Sequence, residues 1–242
     1  MVQKQRISHF KHIKMEVLQM TNFWQKEVGK NKQRKQHIAI ANLYLGKKTM
    51  AKQAKTLNQN ELRKVLDYTA TRKHSLRNRC LLYTTFLSGM RVGEVASLRY
   101  CDVVNEDGTV KNEIRLIAEN TKTNEARTVF VNDKLRKEFE KYIVVYKPAN
   151  RETKFFYSQK RHSAGGGFTA NTLTQFFHYL YKRSGIDGAS SHSGRRTFIT
   201  NLATQGVGVR VLASLAGHKN ISTTQSYIDV NDDMKRKAVE LA

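Results

Sequence analysis

The stretch "SSHSGRRTFITNL" (residues 190–202) sets His192 three residues before Arg195 at the start of an apolar helical pattern, behind a pair of serines. That spacing puts both side chains on one helical face. The serines can cap the helix, and its first N–H groups and dipole favour a negative charge. No carboxylate occurs within the stretch, so the face suits an anion that comes from outside the chain. Arg196 follows Arg195 directly, and consecutive helical residues do not share a face; it is expected to point away, as a candidate contact to a polyanion.

Three further places supply polar residues in a pointed context. In "LSGMRVGEVASLRYCDV", Arg91 stands at a helix start just after Gly89, with Glu94 one turn on, a spacing that also describes an ordinary surface ion pair. In "ENTKTNEART", Lys122 lies in a turn between two strands, where a lysine can reach away from the sheet or simply stay solvated. In "LAGHKNISTTQSYIDV", His218 follows a glycine and Tyr227 comes nine residues later. The longer run "TQGVGVRVLASLAGHKNISTTQSYI" also reads as a helix-turn-helix with Gly217 near the turn, the pattern of a DNA-binding regulator.

The elements that must hold these residues are mostly helical. A helix begins in "TLNQNELRKVLDYT", with Thr56 or Asn58 as N-cap and Glu61 in its first turn. Others are expected at about 75–88, 91–99, 133–146, 170–184, 192–205, 207–216 and 221–227, with a short one after Tyr227. The segment "EIRLIAENTKTNEARTVFVN" carries two apolar runs around a polar turn and reads as a β region. Pro148 is the one proline in the chain, in keeping with uninterrupted helices. The run Gly165 to Gly167 lacks the Lys and Ser/Thr of a phosphate loop and reads as a flexible connector.

Composition sets the outer bounds. The 242 residues include 43 Lys and Arg against 20 Asp and Glu, a net charge of +23, so a polyanion is the expected partner. Residues 1–55 hold 13 Lys/Arg and two Glu, Glu16 and Glu27. They read as a basic N-terminal arm or a shortened DNA-clamping segment, with one amphipathic helix on Ile13, Val17, Met20 and Trp24. Lys30, Lys32, Arg34 and Lys35 are its candidate DNA contacts. Residues 56–242 form the main domain, with a tail from 228 to 242. No run of apolar residues reaches the length of a membrane span and no secretory leader is visible, so a cytoplasmic, nucleoid-associated protein is expected. Cys80 and Cys101 sit in apolar segments without CxxC spacing and read as buried thiols.

In the order Arg, Lys, His-x-x-Arg, Gly-His, Tyr, these motifs resemble those of the tyrosine recombinase (phage integrase) family, from about Thr56 to Tyr227. The resemblance rests on "SGMRVGEVASLR", the hairpin lysine, "HSGRRTFIT", "LAGH" and the tyrosine closing "STTQSY". It implies an α+β fold: a mostly helical catalytic domain with a small antiparallel sheet, preceded by the short basic helical segment. Arg91, Lys122, His192, Arg195 and His218 would then activate a phosphodiester and Tyr227 would be the nucleophile, with Glu94 supporting Arg91. Residues 1–55 are short for the N-terminal clamp common in the family.

The chemistry is intelligible from the residue types. A phosphodiester gains negative charge as it is attacked, which calls for preorganised donors, and a guanidinium offers a planar, two-pronged one. A free tyrosine has a pKa near 10, so forming the phenolate at neutral pH costs roughly 4 kcal/mol. A cationic pocket lowers that cost, or His192 accepts the proton during attack. The family's general acid for the departing 5′ oxygen would be Lys122. No metal, nucleotide or other cofactor is required, because the 3′-phosphotyrosyl bond retains the energy of the bond broken.

The implied partner is double-stranded DNA, bound by a homotetramer on two sites, with accessory DNA-bending proteins as a further expectation and a prokaryotic or phage-encoded origin. Two alternatives remain open: a relaxase of the topoisomerase IB type, and a non-catalytic helix-turn-helix regulator.

Overall fold

The computed structural model describes residues 53–121, 125–159, 166–228 and 232–240. The expected N-terminal helix, Lys30, Lys32, Arg34, Lys35 and the hairpin Lys122 lie outside them. Residues Ala54 to Ala242 form a compact unit of their own.

Helix α1 (Gln59–Ala70) starts where Asn58 Oδ1 accepts from Glu61 N–H at 2.9 Å and Glu61 Oε2 accepts from Asn58 N–H at 3.1 Å. This reciprocal box decides the cap in favour of Asn58 over Thr56. The next helix, α2 (Ser75–Ser88), has ten buried residues spread around its circumference and is the central strut of the core. It ends at Gly89, whose φ of +62° turns the chain toward Arg91.

The single helix expected over 91–99 is two: α3 (Val92–Ser97) and α4 (Tyr100–Val103). Between them Leu98 and Arg99 are extended, because Leu98 O accepts from Phe155 N–H at 2.8 Å and Asp102 Oδ2 restarts the helix by accepting from Arg99 N–H at 2.8 Å. The β region is an antiparallel pair, β1 (Glu113–Leu116) and β2 (Arg127–Phe130), in the register Glu113↔Phe130 to Leu116↔Arg127. Ile114, Leu116 and Val129 turn inward, and a 3₁₀ turn at Ala118–Asn120 follows β1.

Helices α5 (Asp133–Val145), α6 (Ala170–Arg183), α7 (Ser193–Thr204), α8 (Val209–Ala216), α9 (Ile221–Gln225) and α10 (Asp232–Val239) complete the described elements. Helix α2 packs against α7 on one side and α5 on the other, and α3 packs against α6. A bidentate pair from Arg79 to Glu138, at 2.7 and 3.0 Å, fastens α2 to α5. Tyr142, Phe139, Phe155 and Phe156 are buried among one another, with the Tyr142 hydroxyl donating to Phe155 O at 2.9 Å.

Two expectations are corrected. Of the run Gly165 to Gly167, Gly165 lies outside the described residues, and Gly167 is no flexible connector: it bridges Tyr157, and a Cβ there would overlap the Lys154 side chain and come within 2.8 Å of Phe156 O. Close backbone approach, not mobility, is what that glycine permits. Cys80 is fully buried as expected, but Cys101 is only half-buried, with Sγ 3.2 Å from Glu152 Oε1.

Candidate active site

The C-terminal end of α2, the start of α3, the start of α7 and the end of α8 converge on one cluster of arginines. Arg91 is the N-cap of α3 in extended conformation. Glu94, one turn on, accepts from Arg91 N–H at 2.7 Å and from Arg91 Nη1 at 2.9 Å. Glu94 is 1% exposed and also accepts from Arg127 Nη2 at 2.7 Å. Burial works against its charge, but the Arg127 and Arg91 guanidiniums more than offset that and hold its carboxyl below the ordinary range.

The end of α8 supplies the rest of the anionic surroundings. A helix leaves its last carbonyls unpaired and carries partial negative charge there. Ala213 O and Ser214 O are taken by the backbone N–H groups of His218 and Gly217, at 2.9 and 3.0 Å. The next three carbonyls each accept from a different arginine: Leu215 O from Arg127 Nη1 at 2.7 Å, Ala216 O from Arg195 Nη2 at 2.6 Å, and Gly217 O from Arg91 Nη2 at 2.8 Å. Gly217 is required here, since its φ is +62° and a Cβ would lie 2.6 Å from Arg127 Cδ.

Arg195 is 3% exposed and spans the site, donating through Nη1 to Gly89 O at 2.7 Å as well as to Ala216 O. Burial, and then the neighbouring Arg91, pull its pKa down to about 9, so it remains charged at neutral pH. Arg91, Arg127 and Arg195 together face one carboxylate, Glu94, which leaves two positive charges in excess. His218 responds to that field. Burial first, and then Arg195, Arg91 and Arg127, lower its pKa to about 4, so the imidazole is neutral. Its Nδ1 lies 2.8 Å from Thr224 Oγ1, which fixes the ring.

Tyr227 follows α9 and is half-buried, its ring stacked on that of His218 at 5.6 Å between centroids and 20° between planes. The Thr200 hydroxyl donates to Tyr227 O at 3.1 Å, holding the backbone of the tyrosine against α7.

The structure therefore brings Arg91, Glu94, Arg195, His218 and Tyr227 together. His192 is the N-cap of α7, but it is exposed whereas Arg195 is buried, so the two differ in depth rather than forming one flat face. Its side chain makes no cap; instead Ser190 Oγ accepts from His192 N–H at 3.3 Å and Ser193 Oγ from Ser190 N–H at 2.9 Å, which orders the turn ahead of the helix. Arg196 corrects its expectation: it is 8% exposed and its Cζ sits 5.6 Å from the Tyr227 ring centroid, inside the site rather than away from it. Neither motif nor spacing points to Arg127, because an arginine opening a strand after a polar turn looks solvated; its side chain is 9% exposed. A cavity of about 540 Å³ lies elsewhere, between Tyr68, Arg77, Phe168, Phe176 and Arg183, and none of the candidate residues lines it.

Comparison with known proteins identifies the family. The family model described as "Phage integrase family" matches residues 55–234. A tyrosine recombinase XerA from Pyrococcus horikoshii is 27% identical over 188 residues, covering 78% of this chain and 61% of the relative. Transposase A from transposon Tn554 of Staphylococcus aureus is 29% identical over 196 residues, covering 77% of this chain and 52% of the relative. The chain thus spans about half to three-fifths of the length of these relatives. Among solved structures, the Tn1549 transposon integrase in complex with a circular intermediate DNA superposes with a TM-score of 0.64 at 18% identity, over 96% of this chain and 85% of that one. A XerA recombinase crystal structure gives 0.61 at 21% identity, over 94% and 82%. Both share the mostly helical fold with its small antiparallel sheet. The family match spans the arginine cluster, the stacked histidine and the tyrosine alike, and the chain belongs to the phage integrase family, the tyrosine recombinases.

Proposed function

We propose that this chain is the catalytic part of a site-specific DNA recombinase that cuts and rejoins strands through a 3′-phosphotyrosyl intermediate. The observation that carries this reading is Tyr227 stacked on His218 beside Arg91, Arg127 and Arg195, of which the first two share the carboxylate of Glu94 and the third is held by backbone carbonyls. Such a cluster is short of negative charge, and a phosphodiester supplies it.

In this reading Arg91 and Arg195 donate to the nonbridging oxygens, where charge grows during attack. The neutral His218 donates a hydrogen bond through Nε2, since Nδ1 is engaged by Thr224. Tyr227 attacks phosphorus, and the 5′ oxygen leaves with a proton. Lys122 is the proposed donor of that proton, and His192 the proposed acceptor of the phenolic one. The attacking bond and the broken bond are both phosphate esters, so the step needs no external energy source. Rejoining is the same step in reverse, with a 5′ hydroxyl as nucleophile.

The substrate is double-stranded DNA, and the working form is a homotetramer on two sites, with accessory DNA-bending proteins as a further proposal. The basic residues 1–55 extend the contact with DNA, while the tail from 228 docks on its own domain or on a neighbouring protomer. No described helix is long and apolar enough to cross a membrane. We place the protein in the cytoplasm, on the nucleoid.

The regulator reading gives α8 and α9 to base recognition. It is less favoured because three successive carbonyls at the end of α8 are committed to Arg127, Arg195 and Arg91, which a reading helix has no need of. Incubating the protein with a nicked duplex whose cut end diffuses away separates the readings. Recombinase and relaxase accumulate a covalent complex, and a regulator does not. Counting protomers per DNA then separates tetramer from monomeric relaxase.

A further inference from the structure

We infer that Arg127 is a positioning residue of the strand-transfer site, holding Glu94 and the turn before His218 in register with strand β2. The inference deepens the recombinase reading and rests on it for the reaction named.

Arg127 opens β2, opposite Leu116, and Lys122 precedes it by five residues in the chain. Its two terminal nitrogens serve two different partners: Nη2 donates to Glu94 Oε2 at 2.7 Å, and Nη1 donates to Leu215 O at 2.7 Å. Through Glu94 it governs Arg91, since that one carboxylate also accepts from the backbone and the guanidinium of Arg91. Through Leu215 it governs the end of α8, from which the next two carbonyls reach Arg195 and Arg91 and the next side chain is His218. One planar fork therefore ties the sheet, the start of α3 and the end of α8 together.

Two details indicate that geometry, rather than charge alone, is what the position requires. Nε of Arg127 is buried and has no hydrogen-bond partner among the described residues. A side chain selected only to fill the space would not leave a polar atom so placed. A lysine carries the same charge, but its ammonium is a point donor on a flexible stem and cannot hold both partners in the directions a guanidinium does. The tight seat on Gly217, where a Cβ would come within 2.6 Å of Arg127 Cδ, fixes the stem as well. Arg127 does not touch the reacting atoms in this account; it acts through Glu94, Arg91 and the α8 turn.

The test compares the full-length chain with Arg127→Lys and Arg127→Met in two measurements. The first is single-turnover formation of the covalent complex on a nicked duplex, alongside duplex affinity. The expected result is a fall of about a hundredfold in the rate for Met and about tenfold or more for Lys, with affinity changed by less than about threefold. The second is amide hydrogen exchange, which needs no activity: exchange at Gly217 and His218 should quicken by about tenfold or more in both variants while that of α1 is unchanged. The Lys variant keeps the charge and covers the case in which Met does not fold. A rate within about twofold of the parent in both variants, or a loss confined to affinity, or exchange unchanged at 217 and 218, overturns the proposal. If the parent forms no covalent complex and exchange still quickens at the turn, the positioning role stands and the recombinase reading fails.

Discussion

His218 and Tyr227 lie ring against ring, 5.6 Å between centroids and 20° between planes, while Thr224 holds the histidine Nδ1 at 2.8 Å and Arg196 sits over the same tyrosine ring. The nucleophile of the proposed reaction is thus oriented by a histidine whose protonation is set by burial and by the arginines around it. Charge state and geometry are linked at this pair, and the first prediction follows from that link.

The pKa of His218 is lowered to about 4 by burial and by Arg195, Arg91 and Arg127, against about 6.5 in an unfolded chain. The unfolded state therefore binds the extra proton first, and the folded protein loses stability as pH falls from about 6.5 toward 4. A bound phosphodiester neutralises the same arginines and raises the histidine's pKa, so duplex binding near pH 5.5 should take up protons, by about one per site at most. Calorimetry in buffers of different ionisation heat reads this directly. Uptake that persists unchanged in His218→Gln contradicts the assignment.

Arg195 joins Gly89 O to Ala216 O across the site. Arg195→Ala removes a charge where the transition state needs one and leaves two carbonyls without their donor. Covalent-complex formation should fall by about a hundredfold to a thousandfold, with a stability loss of about 1–3 kcal/mol for the unpaired groups. Arg195→Lys restores the charge but not the two-pronged span, and should recover stability more than rate. Single-turnover kinetics and thermal melting check the two halves, and equal recovery of both would contradict the geometric part.

Gly194, inside "HSGR", lets α7 lie directly on α2: a Cβ there would overlap the Thr85 side chain and come within 2.9 Å of Phe86 Cδ2. Gly194→Ala should destabilise the domain by about 1–3 kcal/mol through overpacking. In a chain of this size that lowers the melting temperature by about 2–4 °C per kcal/mol. An unchanged melting temperature would mean that the two helices part without cost.

With a net charge of +23, affinity for any duplex should fall steeply with salt, each neutralised phosphate adding about −0.9 to the slope of log K against log salt. Titration by fluorescence anisotropy at several salt concentrations gives the slope. A slope near zero would remove the phosphate backbone as the main partner.

Much of this fold is written in local signals. Asn58 and Glu61, Asn132 and Thr169 mark helix starts by side-chain capping, and the two apolar runs around a polar turn give the hairpin. What local spacing does not carry is depth. Arg196 comes right after Arg195 and belongs on another face of a free-standing helix, yet α7 is buried on both flanks, so both arginines lie inside. Arg127 looks like a strand-edge cation because its partners, Glu94 and Leu215, are 33 and 88 residues away. Gly167 looks like a linker because the side chain that forbids a Cβ there, Lys154, sits on a neighbouring segment. The break at Leu98 likewise depends on Phe155. In each case the deciding contact is long-range, which a pattern of neighbours cannot encode.

The most direct test of the central claim is a trap for the covalent intermediate on Tyr227. The protein is incubated with sheared genomic DNA in EDTA, denatured quickly and digested with nuclease, and its peptides are examined by mass spectrometry beside those of Tyr227→Phe. A nucleotide attached to Tyr227 in the parent and none in the variant is the expected result. DNA bound without an adduct, or an adduct on another residue that survives in Tyr227→Phe, would contradict it.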